Sequence, residues 1–286
     1  MSAALALLPL AGCGHVTSGE LGGASASVTD DVSASPASAP ELDGWVLTWS
    51  DEFEGPQGTL PDPSKWQHDL GGEGWGNAEL QHYTDRAENA SLDGEGHLRI
   101  VAREEAYEGN AYTSGRLKTQ GLFQQTYGRF EARIQTPVGQ GVWPAFWMLG
   151  ANITTVGWPA CGEIDIMEFL GHDPLTTYGS LHGPGFSGGD AIGERFQRTD
   201  GAGFHEGFHT FTVTWDPTRI VFEVDGEPFH TAKIQSFPPE GWVFNQDFFL
   251  ILNVAVGGHW PGYPDETTAF PTAMLVDYVR VWERVE

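Results

Sequence analysis

The chain has 286 residues, of which 39 are acidic and 14 basic, so its formal net charge at pH 7 is −25. Because binding to phosphate backbones or anionic lipids needs clustered cations, this balance argues against nucleic acid and acidic surfaces as partners and suits a neutral one. The 11 Trp, 17 Phe, 38 Gly and 18 Pro residues favour strands and turns over helices.

The first 13 residues resemble a bacterial lipoprotein signal. A short apolar stretch ends in Leu10-Ala11-Gly12-Cys13, and in such signals the cysteine is acylated and becomes the mature N-terminus. A secretory signal has a cationic leading region, whereas no Lys or Arg occurs before Lys65. Despite this departure, the apolar stretch that ends in a cysteine leads us to expect an extracellular or cell-surface protein tethered to a membrane through a lipidated Cys13. Plain secretion and a chance apolar stretch are the alternatives.

Residues 14–43 are rich in Ser, Ala, Gly and Pro and contain few large apolar side chains. Such a segment cannot offset the entropy of ordering, so it is predicted to be a flexible linker. The two cysteines, Cys13 and Cys161, provide no disulfide framework. Residues 44–286 are predicted to form one folded domain.

Short segments with strand character recur from residue 44 onward, with turn signals between them. Alternating apolar and polar residues predict strands at 97–103, 128–134, 210–215, 220–224 and 274–282. Residues 248–256 form a continuous apolar run, which is typical of a strand buried on both faces. Asp225-Gly226 is a hairpin signal. The predicted fold is all-β: a two-sheet antiparallel β-sandwich whose concave face is long enough to hold a polymer.

Two segments present indoles beside small residues. Trp75 and Asn77 lie in a Gly-flanked loop, which alone is a weak signal. Trp143 and Trp147 share one face of a predicted strand with only Ala145 between them, which would make a platform for sugar rings. The alternative is a pair of core residues, although Val142, Phe146 and Met148 on the opposite face fit the core better.

The segment that follows contains three acidic residues within six. Glu163 and Asp165 point to the same face of a strand, whereas regular geometry would send Glu168 to the other face. A one-residue β-bulge near Ile166 or Met167 would bring Glu168 back beside them. Negative charges this close push the pKa values of the carboxyl groups apart, so one group can stay protonated while another is ionised. A retaining glycosidase needs such a pair, a nucleophile and an acid/base roughly 5 Å apart. The alternative is a solvated edge strand, which the flanking apolar residues disfavour.

Two later residues are further candidates for the same surface. His182 follows the acidic strand by one more predicted strand, and its imidazole is placed to hydrogen-bond a substrate hydroxyl or a catalytic carboxyl. A lone histidine is more often structural, so this residue is a weaker candidate. Trp260, in a Gly-rich segment after the buried strand, is a further exposed indole.

These segments together resemble glycoside hydrolase family 16. Residues 163–168 resemble the family's signature in the version with an extra residue before the last Glu. Five further segments resemble the family's bacterial laminarinases, which are endo-β-1,3-glucanases: 49–53, 75–81, 143–149, 181–185 and 277–282. The resemblance covers roughly residues 45–286.

The resemblance implies a jelly roll with a substrate cleft on its concave face and retaining hydrolysis of β-1,3-glucosidic bonds in laminarin-type glucans. Glu163 would be the nucleophile, Glu168 the general acid/base, and Asp165 the residue that tunes the nucleophile. The residues expected to line the subsites are Trp75, Asn77, Trp143, Trp147, His182 and Trp260.

The resemblance also implies no catalytic cofactor, but a structural Ca²⁺ on the convex side. The matching ligands would be Glu52, Gly96 and Asp277, partly through backbone oxygens. Asp277 lies on an alternating strand among Leu275 and Val279, an odd place for a lone carboxylate, and a hard cation held by oxygen ligands would explain it. The expected partner is a neutral β-glucan, and the protein is expected to be a monomer.

Alternatives remain within and outside the enzyme class. The substrate could instead be mixed-linkage β-1,3-1,4-glucan or xyloglucan, with hydrolysis or transglycosylation as the reaction. A non-catalytic glucan-recognition module or a lectin-like sandwich is the alternative from another class. Retention of all three acidic residues argues against both, since binding alone does not need them.

Overall fold

The computed structural model describes residues 41–285. The signal-like segment 1–13 and the predicted linker as far as residue 40 lie outside the described residues. Within the described part, no helix is long and apolar enough to cross a lipid bilayer.

Residues 41–285 contain seventeen strands and three short helices, joined by turns and loops. The helices are α1 (Ile153–Val156) and two 3-10 turns, Gly188–Asp190 and Ile234–Ser236. The strands are β1 (Trp45–Asp51), β2 (Gln67–His68), β3 (Gln81–Tyr83), β4 (Ala90–Leu92), β5 (Leu98–Tyr107), β6 (Asn110–Ser114), β7 (Arg116–Lys118), β8 (Gly128–Gln135), β9 (Val142–Gly150), β10 (Glu163–Phe169), β11 (Thr176–His182), β12 (Ile192–Gln197), β13 (His209–Asp216), β14 (Arg219–Val224), β15 (Glu227–Lys233), β16 (Phe248–Val256) and β17 (Thr272–Arg284).

The described strands form two sheets. One has ten strands, in the order β15-β14-β13-β8-β17-β5-β6-β3, with β1 added beside β17 and β4 beside β5. The other has seven, in the order β12-β11-β10-β9-β16-β7-β2. The predicted two-sheet sandwich is confirmed, with one difference: β3 pairs parallel to β6. No hairpin joins these two strands, so no tight turn forces them to run antiparallel.

Every predicted strand is present, and its pattern explains its place. The segments of alternating apolar and polar residues correspond to β5, β8, β13, β14 and β17, and each strand packs its apolar side chains into a shared core. The apolar run became β16, whose nine residues are all buried. Asp225 and Gly226 have φ angles of +50° and +79°, as a tight hairpin turn between β14 and β15 requires.

The core lies between the two sheets. Phe130, Ala132 and Ile134 of β8 belong to the same buried cluster as Phe146 and Met148 of β9. Burying such a side chain fully contributes about 1.5–3 kcal/mol before the entropy of ordering is counted. The other face of β9, β10 and β16 carries the acidic residues of β10, two indoles of β9 and Asn253 of β16, and these form the candidate site.

Candidate active site

A β-bulge in β10 gathers the three acidic residues. Asp165 lies opposite Trp147 of β9 while Met167 lies opposite Phe146, so one residue of β10 has no partner on β9. The pairing with β11 also shifts between Asp165 and Glu168. The predicted bulge is thus confirmed, and Ile166 and Met167 are both buried in the core.

His182 lies directly opposite Glu163, at the end of β11. Its Nε2 is 3.1 Å from Asp165 Oδ2 and 3.6 Å from Glu163 Oε1. Its Nδ1 accepts a hydrogen bond from the backbone N–H of Gly188, at 3.1 Å. A neutral imidazole whose Nδ1 accepts must carry its proton on Nε2, which faces the two carboxyl groups.

Each outer carboxyl group has its own indole donor. Trp143 Nε1 donates to Glu168 Oε1 at 3.2 Å, and Trp158 Nε1 donates to Glu163 Oε2 at 2.9 Å. Trp158 lies in the loop between β9 and β10 and is 49% exposed. Sequence reasoning missed it, although its position in a Gly- and Pro-containing segment just before Glu163 was an available signal.

A cation connects the predicted indole platform to the 74–79 loop. The guanidinium carbon of Arg116 is 4.5 Å from the ring centre of Trp75 and 4.8 Å from that of Trp147. Arg116 Nε donates to Asp69 Oδ2 at 3.0 Å, which fixes the guanidinium between the two rings. Trp147 Nε1 donates to Asn253 Oδ1 at 2.7 Å.

The remaining predicted site residues lie around the same face. Trp260 is exposed and meets Trp143 edge-on, with ring centres 5.4 Å apart. Asn77 Nδ2 donates to Glu79 Oε1 at 3.2 Å. Arg116 and Asn253 were not predicted, although Asn253 is the lone polar residue in the apolar run of β16 and so was a signal.

Comparison with known proteins identifies the family of the domain. The sequence profile of glycosyl hydrolases family 16 matches residues 77–280. The chain belongs to glycoside hydrolase family 16. It is 44% identical over 257 residues to the beta-glucanase of Rhodothermus marinus, and the match covers 85% of this chain and 86% of that protein.

Solved structures of family 16 members are similar over the same length. The laminarinase catalytic domain of Thermotoga maritima is 48% identical, with a TM-score of 0.80 over 85% of this chain and 99% of that one. The endo-beta-1,3-glucanase of Pyrococcus furiosus is 46% identical, with a TM-score of 0.81 over 86% of this chain and 98% of that one.

The carboxyl groups of this family 16 site resist ionisation. Burial, and then the negative charge of Asp165, raise the pKa of Glu163 to about 8, while His182 opposes the rise. Burial and the charge of Asp165 likewise raise the pKa of Glu168 well above its ordinary value. Asp165, with 3% of its surface exposed, has its pKa raised well above the usual range by burial. The cluster therefore holds protons rather than three charges.

The residues predicted to bind calcium have other partners in this family 16 domain. Glu52 accepts two hydrogen bonds from Arg280, at 3.0 and 2.7 Å, and Asp277 pairs with Arg133. Asp277 is thus not the lone carboxylate that the sequence suggested, because Arg133 supplies its counter-charge. The side chains as placed do not fit a calcium ion, so the predicted site depends on backbone oxygens.

Proposed function

We propose that this family 16 domain hydrolyses internal β-1,3-glucosidic bonds of laminarin-type glucans with retention of configuration. The observation that carries the proposal is the bulge in β10, which places Glu163, Asp165 and Glu168 on one face. The similarity to a laminarinase and to an endo-beta-1,3-glucanase supports the β-1,3 linkage. The net charge of −25 favours a neutral glucan over a sulfated one.

In this proposal Glu163 is the nucleophile and Glu168 the general acid/base. Their surroundings differ in a way that supports the two roles. Glu163 lies beside His182 and Trp158, whose N–H groups both stabilise its anion. Glu168 has one indole donor and two acidic neighbours, so its proton is retained more readily.

The third carboxyl, Asp165, determines how the protons are shared. Like charges this close cannot all be ionised, and Asp165 is the most buried of the three. The pKa of about 8 for Glu163 includes the effect of the negative charge on Asp165. When Asp165 instead holds a proton, that charge is gone, so Glu163 ionises at a lower pH. With two protons among the three carboxyl groups, Asp165 and Glu168 are each protonated. The single negative charge is then on Glu163, the nucleophile.

The reaction then follows two displacements. Glu168 donates its proton to the glycosidic oxygen while Glu163 attacks the anomeric carbon, which forms a glycosyl-enzyme and frees the leaving sugar. Glu168, now ionised, takes a proton from water, and the resulting hydroxide displaces Glu163 from the anomeric carbon. Two inversions retain the configuration.

The test of the proposal is reducing-sugar release from laminarin, with lichenan and curdlan as comparison substrates. Glu163→Gln and Glu168→Gln should each lower the rate by several orders of magnitude without unfolding the domain. Azide should restore turnover in Glu163→Ala with inverted product, and in Glu168→Ala with retained product. Rates near wild type in either Gln variant would overturn the assignment, and a strong preference for lichenan would change the proposed linkage.

A further inference from the structure

A further buried carboxyl group, Glu79, is linked by hydrogen bonds to the indole platform and has no part in the displacement steps. It is 8% exposed and accepts three hydrogen bonds. Asn77 Nδ2 donates to Oε1 at 3.2 Å, and Gln81 Nε2 and Tyr83 OH donate to Oε2 at 2.6 and 3.3 Å. Burial raises the pKa of Glu79 above its ordinary value, and these donors together with Arg116 oppose that rise.

A continuous chain of hydrogen bonds runs from Glu79 to Trp147. Tyr83 OH, which is fully buried, donates to Glu79 and accepts from Asn253 Nδ2 at 3.2 Å. Asn253 Oδ1 in turn accepts from Trp147 Nε1 at 2.7 Å. These four residues, Glu79, Tyr83, Asn253 and Trp147, are together called the relay below.

The direction of every bond in the relay follows from its two ends. An indole N–H can only donate, so Asn253 must turn its oxygen toward Trp147 and its NH₂ toward Tyr83. Tyr83 OH therefore accepts from Asn253 and has its proton left for Glu79, and an ionised carboxylate can only accept. Because Gln81 Oε1 accepts from the backbone N–H of Val256 at 2.7 Å, its NH₂ must also face Glu79.

We propose that Glu79 is a positioning residue that fixes the orientation of the Asn77 amide and, through the relay, of the Trp147 indole in the glucan-binding cleft. This inference rests on the proposed function, since it assigns Asn77 and Trp147 to sugar binding. With its NH₂ bound to Glu79, Asn77 keeps its carbonyl oxygen available to accept a hydrogen bond from a sugar hydroxyl.

Glu79→Gln tests the inference because it keeps size and burial but replaces one acceptor oxygen by an NH₂ donor. If that NH₂ faces Asn77, the Asn77 amide must turn over and present NH₂ to the sugar. If it faces Tyr83, the relay reverses and Asn253 presents NH₂ to the indole N–H of Trp147. One of the two sugar-binding groups is misoriented in either case.

The binding experiment uses the full chain carrying Glu163→Gln, so that a β-1,3-linked glucose oligosaccharide is bound but not cleaved. Adding Glu79→Gln should weaken calorimetric affinity about fivefold, which corresponds to roughly 1 kcal/mol for one hydrogen bond. The matched control is Glu131→Gln on the ten-stranded sheet. Glu131 is 9% exposed and also accepts three bonds, from Arg129, Thr212 and Tyr278. The control should lower Tm but leave the affinity unchanged.

A second readout does not depend on sugar. The indole N–H resonance of Trp147, assigned by its absence from Trp147→Phe, should move in Glu79→Gln and in Tyr83→Phe, which removes the next link. A lower Tm with unchanged affinity and an unmoved resonance in Glu79→Gln would overturn the inference. If Glu79→Gln does not fold, an unmoved resonance in Tyr83→Phe overturns the relay. Failure of wild type to cleave laminarin would instead overturn the proposed function, while the resonance still reports on the relay.

Discussion

At the scale of single residues, identical side chains differ because their neighbours differ. Glu163 and Glu168 lie on one face of one strand, yet His182 contacts only the first of them within ion-pair distance. The indole that each carboxyl accepts from is also different, exposed Trp158 for Glu163 and half-buried Trp143 for Glu168. Such differences are what allow two glutamates in one site to take opposite protonation states.

The raised pKa of Glu163 predicts a pH dependence of stability. With Asp165 ionised, the folded pKa of Glu163 is about 8, against an ordinary value of 4.5, so the folded state binds more protons than the unfolded state between these values. The stability that this carboxyl contributes is therefore fully present below its unfolded pKa and is lost as pH rises through about 8.

The measurement compares wild type with Glu163→Gln by chemical denaturation from about pH 5 to about pH 9. The variant cannot ionise at this position, so its unfolding free energy relative to wild type should rise by at least about 1.4 kcal/mol, the equivalent of one pKa unit. A constant difference between wild type and Glu163→Gln would contradict the raised pKa.

At the scale of elements, β9 separates binding from stability by its two faces. Trp143 on the outer face meets the exposed ring of Trp260, whereas Trp147 also packs against the small cluster that contains Phe249 and Ile251. Val142, on the inner face, is fully buried in the main core. Substitutions along one strand should therefore have different consequences.

Trp143→Ala should weaken glucan binding by on the order of 1 kcal/mol and leave Tm nearly unchanged, because it removes a stacking surface and little core. Trp147→Ala should weaken binding and also lower Tm. Val142→Ala is the control, and it should lower Tm without weakening binding. Affinity by calorimetry and Tm by scanning calorimetry check all three, and a large fall in Tm for Trp143→Ala would show a core residue.

The strands and the bulge could be predicted from the sequence because both are properties of neighbouring residues. The alternation of apolar and polar residues predicted β5, β8 and β17. The bulge was predicted because only a bulge would bring Glu168 to the same face as Glu163. The parallel pairing of β3, and the contacts of Arg116 and Asn253, could not be predicted in this way. Asn253 and Tyr83 are 170 residues apart, and no local period carries such a contact. The pairing of Asp277 with Arg133 could not be predicted for the same reason, since the two residues are 144 positions apart.

At the scale of the whole molecule, bound calcium remains a prediction. A hard cation held by backbone oxygens near Glu52, Gly96 and Asp277 would bind only the folded state and so stabilise it. Chelation should then lower Tm, and Ca²⁺ should restore it better than Mg²⁺, which demands a smaller octahedral site. A melting curve unchanged by EDTA, with no metal in elemental analysis, would remove the site.

The N-terminal segment predicts where the protein is found. Residues 14–43 would tether the acidic domain to a membrane through an acylated Cys13, and two acyl chains suffice for stable anchoring. In a bacterial host, wild type should fractionate with membranes, and Cys13→Ser should change its processing and release it. Cys161→Ser, at the buried cysteine of the domain, is the control and should stay with the membranes. Wild type in the medium with a mature N-terminus beyond Cys13 would favour plain secretion.

The pairing of β1 with β17 has a consequence for how the domain is made. These are the first and last strands of the described chain, and Trp45 lies opposite Arg284. Strand β17 also pairs with β5 and β8. Each of the three earlier strands β1, β5 and β8 therefore lacks one of its pairing partners until β17 leaves the ribosome. Such high contact order delays folding of the domain until β17 has been synthesised. The pairing of β1 with β17 also places the two ends of the described domain side by side, so the domain suits circular permutation.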